Sequence, residues 1–131
     1  MRRFLKSIKA APAASDQIQS LAHGPAFKRL LIAGQIGMDA TGQTPDGLEA
    51  QLELAFDNLL SILEAAQLAV GDLVRIVVYV TVPGSLALAE RVRRRKIGSA
   101  TPVAAYLEIS GLGDPRWLVS IEGEAVQEAS P

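Results

Sequence analysis

The longest periodic pattern in the chain is an apolar stripe of helical spacing that begins at Leu48 and ends at Ala66. Its members fall on one face of a helix, and acidic residues occupy the opposite face. We expect Asp46 to be the N-cap, with Glu49 three residues later completing a capping box. The stripe consists of Leu48, Leu52, Ala55, Phe56, Leu59, Ile62, Leu63 and Ala66.

A buried strand is predicted directly after this helix, over residues 73–81 (LVRIVVYVT). The segment is rich in β-branched residues and almost continuously apolar, which is typical of a strand that is covered on both faces. A helix with one apolar side next to such a strand favours packing of helices on a sheet.

The remaining pattern predicts five further strands and a second helix. Ser85 can cap the second helix, and Gly34 inside a strand indicates a bulge or a close approach by another group. The predicted strands are residues 4–8, 17–22, 27–36, 102–109 and 117–126, the second helix is residues 86–97, and residues 110–116 form a hairpin-like loop. The order β-β-β-α-β-α-β-β predicts one α+β domain over residues 1–131.

Composition narrows the function classes. The chain has no cysteine, one histidine and a net charge of −1, so disulfides, thiolate chemistry and the usual zinc sites are excluded. We therefore expect no metal and no cofactor. No apolar run reaches the ~18 residues of a membrane span, and the cytoplasm is the expected location. Apolar residues make up 49% of the chain, which hints at apolar surface that meets another subunit.

Three features could carry chemistry, and each has a plainer interpretation. His23 could be a general base or an exposed turn residue. Residues 91–96 (RVRRRK) could contact nucleic acid, but on a helix they spread around the axis and read better as a solvated face. Arg116 and Trp117 could rim a pocket or pack at an edge.

Ser120, Glu122 and Glu124 share one face of the last predicted strand by the period of two. Paired carboxylates can serve acid–base chemistry when one of them is buried, although solvated carboxylates are commoner. Glu122 is the better catalytic candidate, because the neighbouring Gly123 allows close approach.

Three stretches together resemble the Rid (YjgF-type) family of reactive enamine/imine deaminases. They are residues 31–36 (LIAGQI), residues 63–74 (LEAAQLAVGDLV) and residues 119–125 (VSIEGEA). The resemblance implies a chorismate-mutase-like fold of the bacillary type, a mixed sheet with two helices on one face. It also implies a homotrimer with clefts between subunits, in which an arginine grips a substrate carboxylate and polar groups place the water that hydrolyses a C=N bond.

Several positions depart from the family pattern. The arginine after the family's proline is replaced by Ala104, the serine of its SGQ motif by Ala33, the water-positioning acid by Ser120 and the pocket-closing tyrosine by Ile18. Gln67 stands where a glycine usually ends the first helix, at a cost of about 1 kcal/mol if the left-handed turn is kept. The cleft residues that the resemblance implies are Ile18, Ala33, Gly34, Ala104, Tyr106, Ser120 and Glu122.

These departures lead to three hypotheses. The first is a divergent homotrimer with a small-molecule cleft and without arginine-dependent deaminase activity. The second is a hydrolytic deaminase that acts on a less anionic imine or enamine with Arg116, Glu122 or His23. The third is RNA binding or an endoribonuclease-like role, for which the only local support is the basic run at residues 91–96.

Overall fold

The computed structural model describes the backbone of residues 2–4, 18–23 and 27–128, and the side chains of residues 28–128. Six strands and two helices follow one another in the predicted order β-β-β-α-β-α-β-β. A short 3-10 turn, Val70–Asp72, precedes the fourth strand. The elements are β1 (Arg2–Phe4), β2 (Ile18–His23), β3 (Phe27–Ile36), α1 (Leu48–Ala65), β4 (Leu73–Val80), α2 (Leu86–Ile97), β5 (Val103–Glu108) and β6 (Val119–Glu128).

The strands form one mixed sheet in the order β1-β2-β3-β6-β4-β5. All described neighbours are antiparallel except β4 and β5, which are parallel because α2 carries the chain back between them. The mixed sheet confirms the predicted fold class. The hairpin predicted at residues 110–116 is wrong, since β6 crosses to the other side of β4 and pairs with β3 and β4. Turn residues mark where a strand ends, but they do not specify its next partner.

Both helices cover the same face of the sheet, and we call this the helix face. Leu59 of α1 and Ile76 of β4 meet over Gly123, where an ideal Cβ would lie 3.3 Å from Leu59 Cδ1 and 3.7 Å from Ile76 Cγ2. Every residue of the predicted α1 stripe is buried. The sheet contributes Leu30, Ile32, Ile76, Val78, Val80, Val119, Ile121 and Ala125 to the same core.

The opposite side of the sheet, which we call the open face, is only partly covered within one chain. Val77 is buried there, but Tyr79 is half-buried and Arg75 is exposed. Within one chain β4 is covered on the helix face from Ile76 to Val80, whereas Arg75 on the open face is exposed, and cover of the open face by another chain stays a prediction. An apolar run in sequence does not reveal whether the second cover comes from the same chain.

The N-terminal end of α1 differs from the prediction, whereas its C-terminal end has the left-handed turn considered for Gln67. The N-cap is Gly47, with φ of 90° and no side-chain cap, so the predicted Asp46 capping box is wrong. Glycine reaches this backbone conformation readily, and the helix begins one residue later than expected. At the other end Gln67 has φ of 60°, and the Leu68 N–H donates to the Leu63 carbonyl at 2.9 Å. The left-handed turn that the family's glycine usually makes is thus kept at Gln67, as a Schellman motif.

Strand boundaries shift by a few residues. The predicted first strand at residues 4–8 lies outside the described residues apart from Phe4, which ends β1. β6 begins at Val119, two residues later than predicted, and continues to Glu128. The bulge expected at Gly34 is confirmed by a register shift between Ile32 and Gln35. Among the described residues no helix is long and apolar enough to cross a membrane.

Candidate functional site

The bulge in β3 brings Gly34 against Ser120 on the open face. An ideal Cβ on Gly34 would lie 2.4 Å from Ser120 Oγ, so no larger residue fits here without a shift. Ser120 is 9% exposed. This close approach explains the glycine within a strand, and it places the buried Ser120 hydroxyl at the bulge.

Tyr79 extends this polar group across the open face. Its register partner on β6 is Ser120, and its hydroxyl donates to Glu122 Oε1 at 3.1 Å. Burial, followed by the hydrogen bond to Glu122, raises the pKa of Tyr79, while the Arg75 charge opposes the rise. A carboxylate held by a phenol can accept a proton from a ligand or bind a ligand donor.

Glu124 continues the same face toward the other end of β6. Arg29 Nε donates to Glu124 Oε1 at 2.6 Å, and Arg75 is its register partner on β4. Ser120, Glu122 and Glu124 thus lie along one face as the period of two predicts. The structure brings Gly34, Ser120 and Glu122 together and adds Tyr79. The sequence could have indicated Tyr79, because by the period of two it shares a face of the predicted strand with Arg75 and Val77.

Ala104 and Tyr106 do not join this group within one chain. In β5 they are the register partners of Ile76 and Val78, whose side chains lie in the helix-face core. Ala104 is exposed at the sheet edge. The expected cleft set is therefore split between two faces of the sheet, because the parity of β5 relative to β6 depends on the parallel register and not on local sequence.

Two other expected cleft residues, Ile18 and Ala33, lie in β2 and at the bulge of β3. Ile18 pairs with Ile32 in the ladder between β2 and β3, and its side chain lies outside the description. Ala33 is half-buried, and its carbonyl accepts a hydrogen bond from Gln35 Nε2 at 2.8 Å. The Gln35 side chain is fully buried, and its Oε1 has no partner among the described residues.

Tyr106 belongs instead to an ionic cluster on the helix face. Its hydroxyl donates to Glu90, which also accepts from Arg93 Nη2 at 2.7 Å and from Arg94 Nε at 3.0 Å. The Arg93 hydrogen bond, followed by that of Tyr106, lowers the pKa of Glu90 to about 2. Burial and then the bond to Glu90 raise the pKa of Tyr106 to about 12. The cluster fastens α2 to β5.

The basic run of α2 is largely paired with acids. Arg95 Nη2 lies 2.5 Å from Glu53 Oε1, and Lys96 Nζ lies 2.9 Å from Asp57 Oδ1, both on α1. Arg93 and Arg94 bind Glu90 within α2. These contacts agree with the solvated-face interpretation and leave no continuous cationic track. Among residues 28–128 no group of three or more potential metal-binding side chains occurs, and the His23 side chain lies outside the description.

Trp117 separates two shallow pockets at the end of the sheet. One, of about 350 Å³, is lined by Thr81, Ser110, Gly111, Leu112, Asp114, Pro115 and Trp117. The other, of about 340 Å³, is lined by Met38, Gly42, Gln43, Thr44, Arg116 and Trp117. The rim position considered for Arg116 and Trp117 is therefore the one the structure favours.

Comparison with known proteins decides the family. Residues 8–127 match the sequence profile described as Endoribonuclease L-PSP. The chain belongs to this family, the Rid (YjgF) family. A RutC family protein of Pyrococcus horikoshii is 32% identical over 101 residues, which cover 76% of this chain and 79% of that protein.

Solved Rid-family structures agree with the fold. A candidate endoribonuclease of Thermotoga maritima MSB8 is 28% identical, has a TM-score of 0.84, and matches 98% of this chain and 100% of its own. RidA of an Antarctic Psychrobacter species is 27% identical, with a TM-score of 0.81 over 94% of this chain and 98% of its own. The expected chorismate-mutase-like architecture is confirmed.

Proposed function

We propose that this Rid-family chain forms a homotrimer with a small-molecule cleft between subunits and lacks arginine-dependent deaminase activity. The proposal rests on Ala104, which by the sequence resemblance stands where members of the family carry their arginine. A guanidinium holds a carboxylate through two charge-assisted hydrogen bonds, whereas a methyl group offers neither charge nor donor. The loss is expected to reduce turnover of an anionic imino acid about a thousandfold or more.

The open face supports the trimer. Val103 and Leu107 lie on this face by their register with Arg75 and Tyr79, and they are 75% and 46% exposed. Exposed apolar side chains of this size are suited to burial against a second copy. Light scattering is expected to give three times the chain mass. Leu107→Lys is expected to lower that mass, and a single-chain mass for the unsubstituted protein would refute the trimer.

The proposed lack of deaminase activity is tested with 2-aminoacrylate released in situ by a dehydratase. Substoichiometric protein is expected to leave pyruvate release unchanged. A triple variant with Ala33→Ser, Ala104→Arg and Ser120→Glu restores three of the four departed residues, all but the tyrosine at Ile18, and is expected to gain activity. Its matched control carries Ala87→Arg in place of Ala104→Arg, since Ala87 is exposed on α2 and away from the open face. Accelerated pyruvate release by the unsubstituted protein would end the proposal.

One observation favours the second hypothesis, a hydrolase that acts on a neutral imine or enamine without a cofactor. The Tyr79–Glu122 hydrogen bond supplies a proton donor and acceptor on the open face, where the proposed cleft would receive a ligand. Glu122→Gln and Tyr79→Phe are then expected to lower any turnover, while Arg91→Gln, on the exposed side of α2, leaves it unchanged. Turnover that survives Glu122→Gln would remove this alternative.

RNA binding is the least supported role, because the α2 arginines and lysine are largely paired with acids. We expect no salt-dependent retention on RNA at low ionic strength. The cytoplasm stays the proposed compartment, and cell fractionation tests it.

A further inference from the structure

We propose that the pocket lined by Met38, Gly42, Gln43, Thr44, Arg116 and Trp117, here called the loop pocket, binds a small planar carboxylate. Its volume is about 340 Å³, near the lower end of the range for small-molecule sites. The loop pocket shares no residue with the Gly34, Ser120, Tyr79 and Glu122 group. The inference is therefore independent of the proposed cleft and of its chemistry.

A fixed guanidinium is the first argument. Asp114 Oδ2 accepts from Arg116 Nη2 at 2.7 Å, and Asp114 Oδ1 accepts from the Arg116 backbone N–H at 2.8 Å and from Nε at 3.1 Å. These bonds use one edge of the guanidinium. Nη1 has no recorded partner among residues 28–128, and the Arg116 side chain is 79% exposed. A positioned cation with a free pair of donors suits a carboxylate.

Asp114 stays ionised across the physiological range, which keeps this arrangement in place. The Arg116 side chain and then its backbone N–H lower the pKa of Asp114 to about 2. The carboxylate therefore orients the arginine at neutral pH instead of competing for protons with a ligand.

The β3–α1 loop, which forms one wall of the pocket, is held in place at two points. Asn58 is buried in α1, and its Nδ2 donates to the carbonyls of Ile36 at 3.0 Å and Met38 at 2.9 Å. Asp39 Oδ1 accepts the backbone N–H of Thr41 at 2.9 Å and that of Gln43 at 3.0 Å. The backbone beside Met38 and Gln43 is thus ordered before any ligand arrives.

Gln51 joins this wall to the wall that carries Arg116. The side chain is 2% exposed. Its Nε2 donates to the carbonyls of Pro45 and Arg116, each at 2.9 Å, and its Oε1 accepts the Leu118 N–H at 2.9 Å. One buried carboxamide therefore fixes the spacing between the two loops. Such preorganisation lowers the entropic cost of binding.

The chemistry of the lining selects the ligand class. The Trp117 indole and the Met38 thioether offer apolar contact area that suits a flat, unsaturated group. Thr44 and Gln43 supply hydroxyl and carboxamide groups, and Arg116 supplies the charge. These groups together fit an aromatic or conjugated carboxylate better than an aliphatic one or a neutral amide.

Trp117 provides a direct readout, because it is the only tryptophan of the chain. Its fluorescence and its indole N–H resonance are followed while benzoate, benzamide or acetate is added. We expect a saturable change with benzoate and a response at least about tenfold weaker with benzamide or acetate, because benzamide lacks the charge and acetate lacks the ring. Equal responses to all three probes, or no saturable response to benzoate, would overturn the proposal.

Substitutions then locate the binding. Arg116→Gln is expected to weaken benzoate about tenfold or more, with Arg116→Lys between this variant and the unsubstituted protein. The fold is retained, because Gln51 contacts the backbone carbonyl of Arg116 and not its side chain. Ser110→Ala, in the pocket on the other side of Trp117, and Arg91→Gln, on the exposed side of α2, are the controls and leave binding unchanged. Loss of binding in Ser110→Ala, or full binding in Arg116→Gln, would refute the assignment.

Discussion

Tyr79 and Tyr106 are the only tyrosines of the chain, and they lie in the adjacent parallel strands β4 and β5 on opposite faces of the sheet. Each donates its hydroxyl to a glutamate. On the helix face Glu90 also receives two arginines, and its pKa falls to about 2. On the open face Glu122 has Tyr79 as its single recorded donor among the described residues.

The two tyrosine–glutamate pairs therefore have different roles. Glu90 is surrounded by donors from its own chain, so its contacts serve to hold α2 on the sheet. Glu122 keeps acceptor capacity, and its register partner on β4 is Val77. The difference shows that the helix face is completed within one chain, whereas the open face has capacity left for a ligand or another subunit.

The largest expected contrast is between a buried residue of the helix face and an apolar residue of the open face. Leu59→Ala is expected to lower the free energy of unfolding by about 2–5 kcal/mol, because Leu59 is fully buried over Gly123. Val103→Ala, on the open face, is expected to change it by less than about 0.5 kcal/mol at concentrations where the chain is a monomer, and by more in the proposed trimer, which would bury Val103. Urea denaturation measures both. A comparable loss at Val103 would show that the open face is covered in solution.

Glu90→Gln tests the ionic cluster, with an expected loss of about 1–2 kcal/mol at neutral pH, since Glu90 is partly screened by solvent. Because the folded state lowers its pKa from 4.5 to about 2, the Glu90 contribution is present above about pH 4.5. It disappears as the pH falls toward 2. Denaturation of both proteins across this range is expected to bring the two stabilities together. A constant difference down to pH 2 would contradict the assignment.

The tyrosines give the smallest and most direct comparison. Tyr106→Phe is expected to cost about 1 kcal/mol and Tyr79→Phe about 0.5 kcal/mol, because only Tyr106 bonds a carboxylate that arginines also hold. Burial and Glu90 raise the pKa of Tyr106 from 10.0 to about 12. Its contribution is thus full below about pH 10 and is lost as the pH rises toward 12. Alkaline denaturation of both variants measures this, and a larger cost for Tyr79 would reverse the comparison.

Local pattern was enough for much of the helix face. The α1 stripe and β3 follow from residues close in sequence. Asp46 is not the N-cap, because the helix begins after Gly47, and the capping-box pattern does not predict the positive φ of that glycine. The sequence did not indicate that Gln51 and Asn58 are buried. Their partners are backbone carbonyls and one backbone N–H of loops, and helical periodicity gives no information on such contacts.

Long-range register limited prediction of the site. Ser120 and Glu122 share a face by their own spacing, so their grouping followed from the sequence. Whether Ala104 and Tyr106 share that face depends on the register of β5 against β4, and the parallel crossover sets that register. The family resemblance supplied all four residues, and the geometry of one chain joins only Ser120 and Glu122.

The position of β6 also constrains how the protein is made. It is the last of the described strands to be synthesised, yet it lies in the middle of the sheet between β3 and β4. Until it emerges from the ribosome, the strands before it form two separate ladders with unpaired edges at β3 and β4. The nascent chain therefore has unpaired strand edges until β6 is made, and a chain that stops short of Val119 has no strand to join its two ladders.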